Sequence, residues 1–219
     1  MNTKLGLVAN NVRCFMSLLT LILLMSACAY TVQPTKPIPL DPRVFNSMAT
    51  QTEIRAIHFV PRPEIALRFT SKAPEKLPVE DPLILVEEKF VDALKKRIPV
   101  LNINRIPQSR LNNSLVQLKR TYKRGLVISF HTTDWALDPY WDDKKLYHHI
   151  KYSVIARLIR VETEEILWLR ECRVTNEDPL GKMTTYYDYQ LNDYALLKVK
   201  RREVLKQCAD ELLNNFLGI

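Results

Sequence analysis

Glycine is scarce in this chain, 4 among 219 residues. With so few, no stretch can form a glycine-rich phosphate loop, and neither a P-loop nor a G-x-S-x-G nucleophile turn is present. The 4 histidines include no H-E-x-x-H pair, and the 4 cysteines form no C-x-x-C. The common zinc and dithiol signatures are therefore absent. His148 and His149 are neighbours on a predicted strand, so their side chains point to opposite faces and do not share one metal. His58 reads as a half-buried strand residue. No nucleophile and base can be named together, and the expectation is a protein that is not an enzyme and holds no cofactor and no metal. Long apolar runs are missing as well: the longest, residues 15–25, is about half of the roughly 20 residues a membrane-spanning helix needs.

That short run sits behind Lys4 and Arg13, with no acid before it, which is the pattern of a signal peptide over residues 1–27. It ends on Met25-Ser26-Ala27-Cys28. This ending resembles the lipobox of bacterial lipoproteins, in which the cysteine is acylated and becomes the mature N-terminus; Met25 stands where leucine is usual. An ordinary signal peptide or an uncleaved anchor is the alternative. The resemblance implies lipidation at Cys28, and more than one acyl chain suffices for stable anchoring. Ala29 is not the aspartate that retains many such proteins in the inner membrane, so the resemblance implies the periplasmic face of an outer membrane.

Residues 28–219 carry 30 basic against 24 acidic side chains, and their length fits one domain. A surplus of this sign suits anionic head groups, lipopolysaccharide or an acidic partner; the plainer reading is a solvated surface. Nucleic acid is not expected, because the leader sends the chain away from it. Cys14 leaves with the leader and Cys28 takes the lipid, so Cys172 and Cys208 remain, thirty-six residues apart. In an oxidising compartment such a pair is expected to be bridged; two buried free thiols are the alternative.

Residues 28–50 read as a linker, with Pro34, Pro37, Pro39 and Pro42 favouring an extended spacer of about 3 Å per residue. The globular body is expected over 51–219. Alternating apolar residues predict strands over 53–60, 100–106, 126–137, 147–161 and 166–174, with a short one at 65–69 between prolines. Helical spacing predicts helices over 81–97, 109–123 and 191–217, the first with Asp81 as cap and Glu87, Glu88 and Asp92 on its far face. Gly125 stands where a left-handed helix cap is needed. Cys208 falls on the apolar stripe of the last helix. The fold class is α/β (α+β): a mixed or antiparallel sheet of about four to five strands with helices packed on one face. This order, with Ile166-Leu167-Trp168 in a hairpin strand, is similar to the bodies of envelope lipoproteins that assist secretion or transport, including the curli-secretion lipoprotein and the amino-terminal domain of TolB. The resemblance implies an accessory role in an envelope complex and carries over no site residue.

Two aromatic stretches remain. Residues 134–143 hold Trp135, Tyr140 and Trp141 among Asp134, Asp138, Asp142 and Asp143, and residues 186–194 open with Tyr186 and Tyr187. Trp135, Tyr140, Trp141, Tyr186 and Tyr187 are candidate partner-binding residues, since aromatics anchor interfaces. A plain turn with one aromatic under the sheet is the alternative. A cation site is a third, although the glycine and ligand spacing of a calcium loop are missing. The leading expectation is a non-enzymatic outer-membrane lipoprotein that docks on another envelope protein. A lipid- or lipopolysaccharide-binding lipoprotein is the second, and an enzyme the third.

Overall fold

A computed structural model describes residues 36–48, 54–59, 64–68, 75–106, 114–142, 145–176 and 184–219. The leader, Cys28 and the first half of the proline-rich stretch lie outside these residues. The elements are α1 (Pro42–Met48), β1 (Ile54–Phe59), β2 (Glu64–Leu67), β3 (Glu75–Glu80), α2 (Leu83–Arg97), β4 (Ile103–Arg105), α3 (Leu115–Tyr122), β5 (Leu126–Asp142), β6 (Lys145–Arg160), β7 (Glu165–Asn176) and α4 (Tyr186–Leu217).

Apolar residues recur at every second position of β5, β6 and β7, and this period puts one face of a sheet into the core. β5 and β6 pair antiparallel from Leu126↔Arg160 to Asp142↔Lys145. β7 continues antiparallel on β6. On its other edge β5 carries two strands in succession, both parallel to it: β1 from Leu126 to His131, then β2 at Ala136 and Leu137. β4 adds to β1 and β3 to β2, giving a mixed sheet of seven strands. This corrects the expected four to five. The stretch 138–146, expected as a loop, is strand on both sides of residues 143–144.

Helices do not all lie on one face. The main core gathers residues of α1, α2 and α4 against Ile54, Ile128, Phe130, Val154, Leu158 and Trp168. Leu118 of α3 instead covers Ile57, Val127 and Ile159, which alternate with those residues and face the opposite way. At the centre of the main core Phe90 of α2 meets Phe130 at 5.3 Å, Trp168 at 6.2 Å and Phe216 at 5.6 Å. Such ring pairs contribute about 0.5–1.5 kcal/mol each beyond their burial. Trp168 Nε1 donates to Asn215 Oδ1 at 3.0 Å, so its polar end is satisfied.

Ile38 and Leu169 exchange both backbone hydrogen bonds, at 3.0 and 2.9 Å, on the outer edge of β7. Phe45 of α1 packs edge-on against Phe216, and Met48 is buried. Residues from Lys36 onward therefore lie on the body rather than standing off it. α4 begins with a capping box, Asp188 N donating to Thr185 Oγ1 and Thr185 N to Asp188 Oδ2. It is interrupted at Leu191–Tyr194, where Asn192, Asp193 and Tyr194 adopt left-handed φ of 51°, 54° and 59°. Beyond the interruption the helix runs to Gly218, whose φ of 71° closes it.

Cys172 at the centre of β7 and Cys208 of α4 are bridged, with 5.5 Å between their Cα atoms. Both are fully buried. The bridge closes a loop of 36 residues, and a loop of that length is constrained by roughly 3–4 kcal/mol in the unfolded chain. Cys172→Ser is expected to cost about 2–5 kcal/mol in non-reducing denaturant unfolding. Mapping of non-reduced peptides should give a linked 172–208 pair. Unchanged stability, or two alkylated thiols, would remove the bridge from the fold.

Candidate functional site

The five candidate aromatics separate. Trp135 is 2% exposed and belongs to the core: its Nε1 donates to the Val79 carbonyl at 3.3 Å and its ring meets Tyr152 edge-on. It is not placed to anchor a partner. The bulge after Thr132 turns Trp135 inward opposite Tyr152, which sequence alternation alone does not reveal. The other four collect at one end of the sheet. Tyr140 packs beside Tyr147 at 5.7 Å and His149 at 5.4 Å. Trp141, one residue on, faces the opposite way and is 67% exposed. On that same side His148 is buried against Tyr186 at 5.9 Å, its backbone N–H bonded to the Thr184 carbonyl. Tyr187 follows with 68% exposure. The two histidines do face opposite ways.

Beyond α3 the second face of the sheet is polar, and no described helix covers it. Asp134 and Asp138, four apart on β5, share that face. Arg68 bridges them, Nη2 to Asp134 Oδ1 at 2.5 Å and Nη1 to Asp138 Oδ1 at 3.0 Å, and Lys151 Nζ lies 3.6 Å from both carboxylates. Burial works against the Arg68 charge, yet the two carboxylates raise its pKa above the ordinary value. Two of the four acids that suggested a cation site, Asp134 and Asp138, are thus occupied by the chain's own cations; the side chains of Asp142 and Asp143 lie outside the described residues. No group of three or more metal-ligating residues occurs among the described residues. Across β6 and β7, Ser153 donates to Glu171 at 2.7 Å and Arg173 grips the same carboxylate twice, at 2.7 and 2.8 Å. The strip alternates in sign, with Arg173 59% and Lys151 46% exposed.

A third set of polar groups, missed from sequence, is buried under α2. His58 Nδ1 and Glu87 Oε2 are 2.5 Å apart with Glu87 1% exposed. Arg105 Nε stands 3.5 Å from the other oxygen of Glu87. Glu87 lies four residues after Leu83 and three before Phe90, so the helical spacing itself places it on the buried stripe. Nearby, Asp81 Oδ1 accepts from Leu83 N at 2.8 Å and Thr132 Oγ1 at 3.0 Å. The expected capping role of Asp81 holds. These groups tie α2 to β1 and β5.

No family profile matches the chain, and no curated protein matches it at a significant level. Several solved structures align with it. A Xanthomonas campestris protein of the DUF330 family is 13% identical, with 83% of this chain and 87% of that one covered, at a TM-score of 0.45. Lipoprotein GNA1162 from Neisseria meningitidis is 12% identical, covering 72% of this chain and 98% of its own, at 0.34. A PelC dodecamer from Paraburkholderia phytofirmans is 15% identical, covering 57% and 72%, at 0.32. At these scores the likenesses carry no argument about what the chain does.

Burial pushes the Asp81 carboxyl up to about 6 from its ordinary 3.8. Between pH 4 and 6 the folded chain therefore holds a proton that the unfolded chain has released, and stability falls as pH rises through this window. The loss across the window is roughly 3 kcal/mol. Asp81→Asn removes this titration, so its stability relative to the parent should rise by about that amount between pH 4 and pH 7, read as the difference of two denaturant midpoints. Parallel pH profiles would mean that Asp81 does not titrate in this range.

Proposed function

We propose that this chain is a non-enzymatic, lipid-anchored protein of the bacterial envelope, held through Cys28 on the periplasmic face of the outer membrane, that works by binding another envelope protein. The observation that supports it best is the Cys172–Cys208 bridge. A buried disulfide belongs to an oxidising compartment, and it agrees with a leader ending in Met25-Ser26-Ala27-Cys28. No helix among the described residues is long and apolar enough to cross a membrane.

The partner contact is assigned to the polar strip of the sheet. Its charges alternate, with Asp134, Asp138 and Glu171 beside Arg68, Lys151 and Arg173. A polyanionic lipid surface favours cations gathered alone; a strip of both signs complements a folded protein of mixed charge. This charge arrangement favours the protein-binding reading over a lipopolysaccharide-binding one. No metal-ligating cluster competes for the same surface among the described residues.

Two measurements test the proposal. Cys28→Ser should move the protein from the membrane to the soluble fraction, and the parent's N-terminal peptide should carry acyl mass. A variant that stays with membranes, beside a parent without acyl mass, removes the anchor. For the contact, a photo-crosslinking residue at Lys151 or Arg173 in intact cells should give a discrete adduct that is absent when the same residue replaces Arg202 on α4. Equal adducts at both places, or none at the strip, would take the partner away from this face.

A further inference from the structure

The charges of the polar strip are sorted by strand. Asp134 and Asp138 stand on β5, and Lys151 stands on β6 opposite Ala136, at a level midway between the two acids. Lys151 Nζ comes no closer than 3.6 Å to either carboxylate of its own chain. That distance makes an ion pair without a hydrogen bond, and an ammonium has three protons to donate. The strip as a whole is balanced, Asp134, Asp138 and Glu171 against Arg68, Lys151 and Arg173, whereas residues 28–219 carry 30 basic and 24 acidic side chains. Two copies of the chain therefore share a surplus of one sign but have none on this face, where they approach with least repulsion.

An acidic column beside a basic one is complementary to itself. A two-fold axis in the contact plane, parallel to the strands and between β5 and β6, sets β5 of each copy over β6 of the other at the same level. Asp134 and Asp138 of one copy then face Lys151 of the second, which enters over the small side chain of Ala136. The axis repeats this contact on its other side. Sheets packed face to face keep their strands within about 30° of one another and lie about 10 Å apart, a gap that a lysine and an aspartate fill together. At the two ends of the strip the same operation sets Tyr140 over Tyr147 and His131 over Ile155, all four half-buried in one copy. The charged centre is thus closed off from water at either end.

The area suffices. From Ile155 to Tyr147 the face runs for eight steps of β6, roughly 26 Å, and it is four strands wide at about 4.8 Å each. That is roughly 500 Å² on each copy and about 1,000 Å² for the pair, the lower bound of a specific, reversible contact.

We propose that the polar strip is an isologous contact between two copies of this chain, β5 of each lying over β6 of the other. This rests on the reading above that the strip is the protein contact, and it names the occupant.

The first test uses intact cells that produce two differently tagged copies of the full chain, one with the photo-crosslinking residue in place of Arg173, which is 59% exposed. The expected adduct has twice the mass of the chain and carries both tags. A discrete adduct of another mass without the second tag overturns this inference and leaves the contact at the strip standing; no adduct at all overturns both. The second test is sedimentation equilibrium of the purified full chain in a non-ionic detergent. Lys151→Glu and Asp138→Lys each set like charges against one another on both sides of the axis, and each is expected to weaken self-association by about tenfold or more. Mixed in equal amounts the two variants should associate again, because one side of the axis is then native and the other is the same pair reversed. A parent that does not self-associate, variants that associate as the parent does, or a mixture no better than either variant alone overturns the two-fold contact.

Discussion

A seventeen-residue strand needs hydrogen-bond partners along both of its edges, and in this protein that requirement organises the rest. β6 satisfies one edge of β5 from end to end. The other edge takes β1 and then β2, both parallel. A parallel neighbour cannot be reached by a tight turn, and the chain supplies the crossing with β3, α2, β4 and α3 between β1 and β5. α2 crosses the covered face and α3 the other, which is why this sheet has helices on both sides. The same pairing fixes the alternation of β5, and with it the polar strip on one face and the aromatic core on the other.

Most of the element order was legible because β1, β5, β6, β7 and α2 bury one side each, and burial of one side leaves a period in the sequence. The misses have physical causes. Asp138, Pro139 and Asp142 are turn-forming residues, yet each finds a partner across the ladder on β6, and cross-strand pairing outweighs local preference. β3 was hidden by Pro78, but β3 pairs on one side only, and Pro78 falls at its register shift, where no ladder donor is needed. α1 was hidden by the surrounding prolines; Pro42 opens the helix, the position where a missing N–H costs nothing. For Glu87 the spacing pointed inward and the charge outward, and His58, remote in sequence, decided it.

The candidate site was legible in part for a similar reason. Composition draws attention to Trp141, Tyr140, Tyr186 and Tyr187, and these do share one end of the sheet. Composition cannot separate Trp135 from them, because a β-bulge shifts the parity between Thr132 and Asp134. The polar strip left no signal. Arg68 lies 66 and 70 residues from its partners Asp134 and Asp138, a distance at which only the topology brings them together.

The edge of β7 shows how the tether serves the fold. A long outer strand offers unpaired backbone groups to any other chain. Ile38 covers Leu169 with both of its backbone groups, and it is flanked by Pro37 and Pro39. In an extended segment the backbone groups of alternate residues face opposite edges, so those of Pro37 and Pro39 face away from β7 while those of Ile38 face it. Neither proline has an N–H to donate on that outer side. The segment can therefore pair inward but cannot serve as a full template for another strand beyond it. Proline spacing that reads as a spacer in the sequence acts, once Ile38 is seated, as an edge guard.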